Sequence, residues 1–220
     1  MSTKLFVSVA AAALLTASAA SAQTMATAST DLNVRAGPGP HYEVTGVIGI
    51  DEQATIMGCL AASQWCQVSY AGGEGWAYAD YLIAEYDGAE AVVTEQRAEI
   101  GVPVAEYTAP AGGGGAIAGG ATGAVAGAII GGPVGAAVGA VAGAATGGVA
   151  EGVLAADART YVLENPGEPV YLEGEVVVGA QVPDTVEVRE IPNHEYRYVY
   201  VNHQPVVVEP DTRRIVYIVR

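Results

Sequence analysis

The sequence predicts a mainly β protein, with a small β barrel at the N-terminal end, a Gly/Ala-rich helical hairpin in the centre and a small β domain at the C-terminal end. Three observations predict it. Short β-type runs separated by turn residues fill residues 23–86 and again 169–220. Between them, no charged residue occurs from Ala111 until Glu151. Within that run glycine recurs at every fourth position, a spacing that lets helix backbones approach closely.

Residues 1–22 are expected to be a signal peptide cleaved after Ala22. Lys4 supplies the positive start, Leu5 to Leu15 the apolar core and Ala20-Ser21-Ala22 the small-residue cleavage site. The apolar core is too short for a membrane helix, and no cysteine follows the site to carry a lipid. The expected location is the periplasm or cell envelope, an oxidising compartment where two cysteines can pair. The formal net charge is −15, and cleavage removes Lys4, the only lysine. Such a chain repels phosphate backbones, so nucleic acid is not expected as a partner.

In the N-terminal module, strands are expected at Thr30–Arg35, Glu43–Ile48, Ala54–Leu60, Trp65–Tyr70 and Gly75–Tyr78, with Gly37-Pro38-Gly39-Pro40 as a rigid turn. Alternation places Leu32 and Val34 on one face and Asn33 and Arg35 on the other. The residues LNVRAGPGPHYEVTGVI, WCQVSY and GEGWAYADYL resemble the bacterial SH3-like (SH3b) family over about residues 28–85. The resemblance implies a small five-stranded SH3-like β barrel. In exported proteins, modules of this kind bind cell-wall peptides or target a neighbouring enzyme.

Cys59 and Cys66 flank the loop Ala61–Gln64 of an expected hairpin, which sets them opposite one another within reach of a disulfide. The bridge is expected to be structural, with an intermolecular bridge as the alternative. The barrel needs some of its aromatic rings as core. Trp76 is expected inside, and Trp65 divides evenly between core and groove. Tyr42 and Tyr78 are groove candidates because a hydroxyl suits a half-exposed position. Arg35 is a further candidate, although bracing the following turn is its simpler role. Glu43 and Glu74 are candidate partners for the free amine of a wall peptide stem. The candidate ligand set is therefore Tyr42, Trp65, Tyr78, Arg35, Glu43 and Glu74.

Residues 87–110 read as an acidic solvated spacer with room for a short helix between Glu90 and Ile100. Residues 111–153 are expected to form the hairpin, broken at Gly131-Gly132-Pro133. Its packing face would be Gly115, Gly119, Gly123, Gly127, Gly131, Gly135, Gly139, Gly143 and Gly147. Each arm would be about 25–28 Å long, just short of a bilayer core of about 30 Å. The GxxxG register and the central GGPVG resemble the two-helix glycine-zipper segments of Gram-negative envelope proteins. That resemblance implies membrane association and self-association; the competing reading is a flexible Ala/Gly linker.

Residues 154–168 read as a second linker. Beyond it, strands are expected at Pro169–Val178, Thr185–Glu190, Tyr196–Val201, Pro205–Val208 and Ile215–Val219. Tyr196, Tyr198 and Tyr200 alternate with Arg197, Val199 and Val201, giving a strand with two distinct faces. The runs VVVGAQVPDTVEVREIP and YRYVYVNHQPVVVEPDTRRIVYIV resemble a family known as domain of unknown function 1236. That resemblance implies a small β domain of exported proteins and no known activity.

His41, His194 and His203 lack metal-ligand spacing, and no P-loop, G-x-S-x-G or EF-hand pattern is present. No catalytic residue, metal or cofactor is expected, and the chain reads as a non-enzyme. The leading expectation is an exported envelope protein that binds peptidoglycan or a partner's peptide through its SH3-like module. The alternatives are a membrane-associated glycine-zipper oligomer with a structural role and an accessory subunit that recruits a cell-wall hydrolase.

Overall fold

A computed structural model describes residues 24–108, 124–130 and 154–220. Within them the protein is mainly β. The first sheet holds β1 (Thr24–Ala28), β2 (Leu32–Arg35), β3 (Val44–Ile48), β4 (Gln53–Leu60), β5 (Trp65–Tyr70), β6 (Gly73–Tyr78), β7 (Leu82–Tyr86), β8 (Ala89–Val92) and β9 (Val104–Ala105). It curls in the order β3-β2-β6-β5-β4-β1-β7-β8, and β9 adds in parallel beside the end of β4. Leu32, Val34, Ile48, Ile56, Val68 and Leu82 fill its interior, each essentially without exposed surface. Burial of this kind contributes roughly 1.5–3 kcal/mol per large apolar side chain.

Residues 87–105 are not a solvated spacer. Asp87-Gly88, both at positive φ, form the two-residue turn between β7 and β8. Such a turn matches the right-handed twist of the strands it joins. A short helix α1 (Arg97–Ile100) follows, and Arg97 donates to the Leu60 carbonyl at 2.9 Å. This stretch then returns to the sheet as β9. The sequence 82–105 therefore completes the N-terminal module.

The glycine-run residues described also differ from expectation. Ala124–Ile129 form a strand, β10, paired in parallel with β11 (Tyr171–Glu173). The helical hairpin is corrected at these positions, which include Gly127. A paired strand satisfies the backbone polar groups that a glycine-rich helix would satisfy internally, and glycine is a poor helix former. Gly115, Gly119, Gly123, Gly131, Gly135, Gly139, Gly143 and Gly147 lie outside the described residues, as does the signal peptide. Among the described residues no helix is long and apolar enough to cross a membrane.

The segment read as a second linker contains helix α2 (Ala156–Glu164). It covers one face of an antiparallel sheet, β12 (Arg189–Glu190), β13 (Arg197–Val201), β14 (Gln204–Val208) and β15 (Ile215–Ile218). Alternation along β13 decides what lies on each side. Tyr198 faces α2, packing with Ala158, Val162 and Val207, and its hydroxyl donates to the Asn165 carbonyl at 2.9 Å. Val199 and Val201 face the other way, into an apolar cluster shared with the first sheet. Expected strand Pro169–Val178 shortens to β11, because Gly174 adopts φ 101° and ends it. One continuous core thus joins the two modules, running from Ala26 and Leu32 through Ile130 and Leu172 to Val206 and Ile218.

Candidate functional site

The pleat that sends Leu32 and Val34 inward sends Asn33 and Arg35 outward on β2. That outer face is not solvated. Both residues are fully buried, because the C-terminal module lies over them. Arg35 donates from Nε to Glu175 Oε2 at 2.5 Å and from Nη2 to Glu175 Oε1 at 2.6 Å, and neither side chain is exposed. Its Nη1 donates to the carbonyls of Tyr42 at 2.7 Å and Pro40 at 3.2 Å, holding the Gly37–Pro40 turn. Asn33 donates from Nδ2 to Gln204 Oε1 at 2.8 Å, Glu175 Oε1 at 3.0 Å and the Val176 carbonyl at 3.3 Å.

The acceptor side is built within the C-terminal module. The Val176 N–H donates to Glu175 Oε1 at 2.8 Å and fixes the carboxylate. Asn202 aligns the backbone beneath it: its Oδ1 accepts from the Leu172 N–H at 2.9 Å, and its Nδ2 donates to the Leu172 and Gly174 carbonyls at 3.0 and 3.3 Å. Asn202 and His203 both sit at positive φ, forming the tight turn between β13 and β14. That turn carries His203 to the junction, where its Nε2 lies 3.3 Å from the His41 carbonyl. The Tyr171 ring sits between the two imidazoles, 4.6 Å from His41 and 5.0 Å from His203 by ring centroids. Burial holds the His41 pKa below its ordinary value; the charges of His203 and Arg35 add to this, and Glu173 opposes it.

Beside this junction runs an aromatic band. Trp65 and Tyr78 are cross-strand neighbours whose rings meet edge to face at 5.4 Å. Trp76, two residues before Tyr78 on the same face of β6, meets Tyr107 at 5.3 Å, and Tyr107 meets Tyr42 at 6.0 Å. A side-chain hydrogen bond with Tyr107, together with burial, pushes the Tyr42 phenol up to about 12. Burial also pushes Tyr78 up to about 12, assisted by the charges of Asp80 and Glu173.

The predicted site residues therefore separate. Tyr42 and Tyr78 are half-buried and belong to one band, beside exposed Glu43. Trp65, at 3% exposure, and Arg35, at 0%, are corrected: packing against Tyr78 occupies the first and the ion pair with Glu175 the second, so neither presents surface to a ligand. Glu74 is exposed near the opposite end of β6 from Tyr78, about 13 Å along the strand, and is not part of the band. Sequence reasoning missed Tyr107 and Glu175. Tyr107 lay in what read as a spacer, and an acid within a valine-rich strand carries no mark of its distant partner.

Cys59 and Cys66 form a disulfide between directly paired positions of β4 and β5. Among the described residues no group of three or more metal-ligating side chains converges.

Comparison with known proteins agrees with this architecture. Residues 30–83 match the family described as bacterial SH3 domain, and residues 161–220 match a domain of unknown function, DUF1236. One curated relative is named "Putative N-acetylmuramoyl-L-alanine amidase YrvJ", from Bacillus subtilis (strain 168). It is 33% identical over 69 residues, which cover 31% of this chain and 13% of that protein. No solved structure matches significantly.

Proposed function

We propose that this chain, which pairs a bacterial SH3 domain with a domain of unknown function, is a non-catalytic cell-envelope protein that binds wall peptide or a partner's peptide through the Tyr42–Tyr107 band. The observation that carries the reading is the half-exposed edge-to-face pair Tyr42 and Tyr107, each with an exposed carboxylate as chain neighbour, Glu43 and Glu106. Aromatic rings give contact area at low entropic cost, and the carboxylates suit a ligand with a free amine. A peptide stem of the cell wall offers such an amine. The SH3 match and the amidase named among the relatives support a wall-directed role. The closed Asn33–Arg35 face supports the band as the site, since that face is filled from within the chain.

The test is retention of residues 23–220 on purified peptidoglycan. Exposed charge pairs contribute little each, so retention should be weak and should fall with salt. Replacing Tyr42 and Tyr107 by alanine should abolish it, whereas E74Q should leave it unchanged. Equal retention of the double variant, or no retention of the parent at low salt, would refute the assignment.

A further inference from the structure

The contact that buries Arg35 has the construction of a recognition site. Three features distinguish it from incidental packing. Its acceptor groups are held by residues of the C-terminal module alone: Glu175 by the Val176 N–H, and the backbone around it by Asn202. Its chemistry is directional, a two-pronged guanidinium–carboxylate pair flanked by an amide that meets three acceptors. Its surround within the C-terminal module is apolar, with Val176, Val201 and Val206 fully buried.

We propose that the C-terminal domain of unknown function is a binding module for the Asn-x-Arg strand of an SH3-type barrel, with Glu175 as the specificity-determining acceptor and Gln204 and the Val176 carbonyl reading the asparagine. In this chain it holds residues 33–35 of its own barrel. The ligand class is narrow for a physical reason. A buried carboxylate left without its cation retains the full cost of its desolvation, so a strand with glutamine or an apolar residue at the arginine position is rejected, and a lysine, which cannot make the two-pronged contact, is held less well. The asparagine is read because its amide satisfies acceptors that would otherwise be buried unpaired. The proposal does not depend on wall binding by the Tyr42–Tyr107 band.

The experiment uses the full mature chain with a protease site inserted between Ala140 and Val141. The chain is folded and oxidised, cut to completion as judged by mass, and passed over a sizing column at about 1 µM. The two pieces should travel together. Breaking a buried ion pair costs enough that Glu175→Ala should weaken their association about a hundredfold or more and separate them. The neighbouring exposed acid is the control, and Glu173→Ala should leave them together. Asn33→Ala, which keeps the ion pair, should weaken association about tenfold and provides the reading if Glu175→Ala fails to fold. Separation of the parent pieces with each still folded would overturn the proposal. So would pieces of the Asn33→Ala and Glu175→Ala chains that stay together as tightly as those of Glu173→Ala.

Discussion

Arg35 and Glu175, 140 positions apart, form a two-pronged ion pair with no surface on either side chain. Removing one partner strands the other charge in a buried junction, at a cost of about 3–5 kcal/mol. R35A and E175A should therefore each lower stability by that amount in urea unfolding of the oxidised chain. The apolar pair R35M/E175L should be markedly more stable than either single variant, because it leaves no buried charge behind. Equal losses in all three would show that packing volume, and not charge, governs the junction.

The disulfide closes a short loop, since its cysteines are seven positions apart. On the loop-entropy account it contributes about 2–3 kcal/mol. Reduction, or replacement of both cysteines by alanine, should lower the unfolding midpoint accordingly. No free thiol should titrate in the unreduced, unfolded chain.

Acid should loosen the junction. His41 is held below its ordinary pKa, so the unfolded chain takes up a proton on it at a higher pH than the folded chain does. The stability it contributes is complete above about pH 6.5 and is lost as pH falls through the folded value. The groups facing it are Glu173, which opposes the shift, and His203 and Arg35, which reinforce it. The midpoint of thermal unfolding should fall between pH 7 and 5 more steeply for the parent than for H41Q. Parallel profiles would remove His41 from the account.

Alkali should act on the aromatic band. Tyr42 and Tyr78 both have folded values of about 12, above the usual phenol near 10, so the fold favours their protonated forms. Their contribution is complete below about pH 10 and is lost as pH rises towards 12. Ultraviolet titration of the folded chain should show the absorbance step of these two phenols delayed beyond that of exposed tyrosines. Y107F should lower the Tyr42 step by removing its hydrogen bond.

Gly75 is fixed by proximity. A Cβ there would stand 2.9 Å from the Arg35 carbonyl and collide with Val34 Cγ1. The backbone carbonyl cannot swing aside without disturbing the Arg35–Trp76 pairing of β2 with β6. G75A should cost about 1–3 kcal/mol, measured by denaturant unfolding, and should also weaken the Arg35–Glu175 contact.

Much of this architecture was legible because it is local. The alternation of Leu32 to Arg35 identified both faces of β2, and the spacing of Cys59 and Cys66 across a short loop identified a hairpin. What covers Asn33 and Arg35 was not legible, because the covering residues lie far along the chain and a buried glutamate resembles any other in sequence. The glycine run misled at Ala124–Ile129 for a related reason: its period is a local signal, whereas pairing with β11 is a tertiary one. The β7–β8 hairpin was within reach, since Asp87-Gly88 between apolar runs is a strong two-residue turn signal. Helix α2 was less so; its N-terminal cap, Ala155, makes no side-chain capping bond.

The distance in sequence between Asn33 and Gln204, 171 positions, also sets an order of events in time. A chain made N-terminus first at about 5–20 residues per second completes Arg35 roughly 7–30 s before Glu175 exists. Over that interval the curled sheet has its own hairpins to form, while Arg35 has the carbonyls of its own turn but not its carboxylate. Contacts of such long range close late and slowly, after the local strands are in place. Refolding of the intact chain should accordingly show the near-neighbour sheet forming first and the junction last. A nascent chain caught between the two stages would display a guanidinium without its carboxylate on an otherwise finished surface.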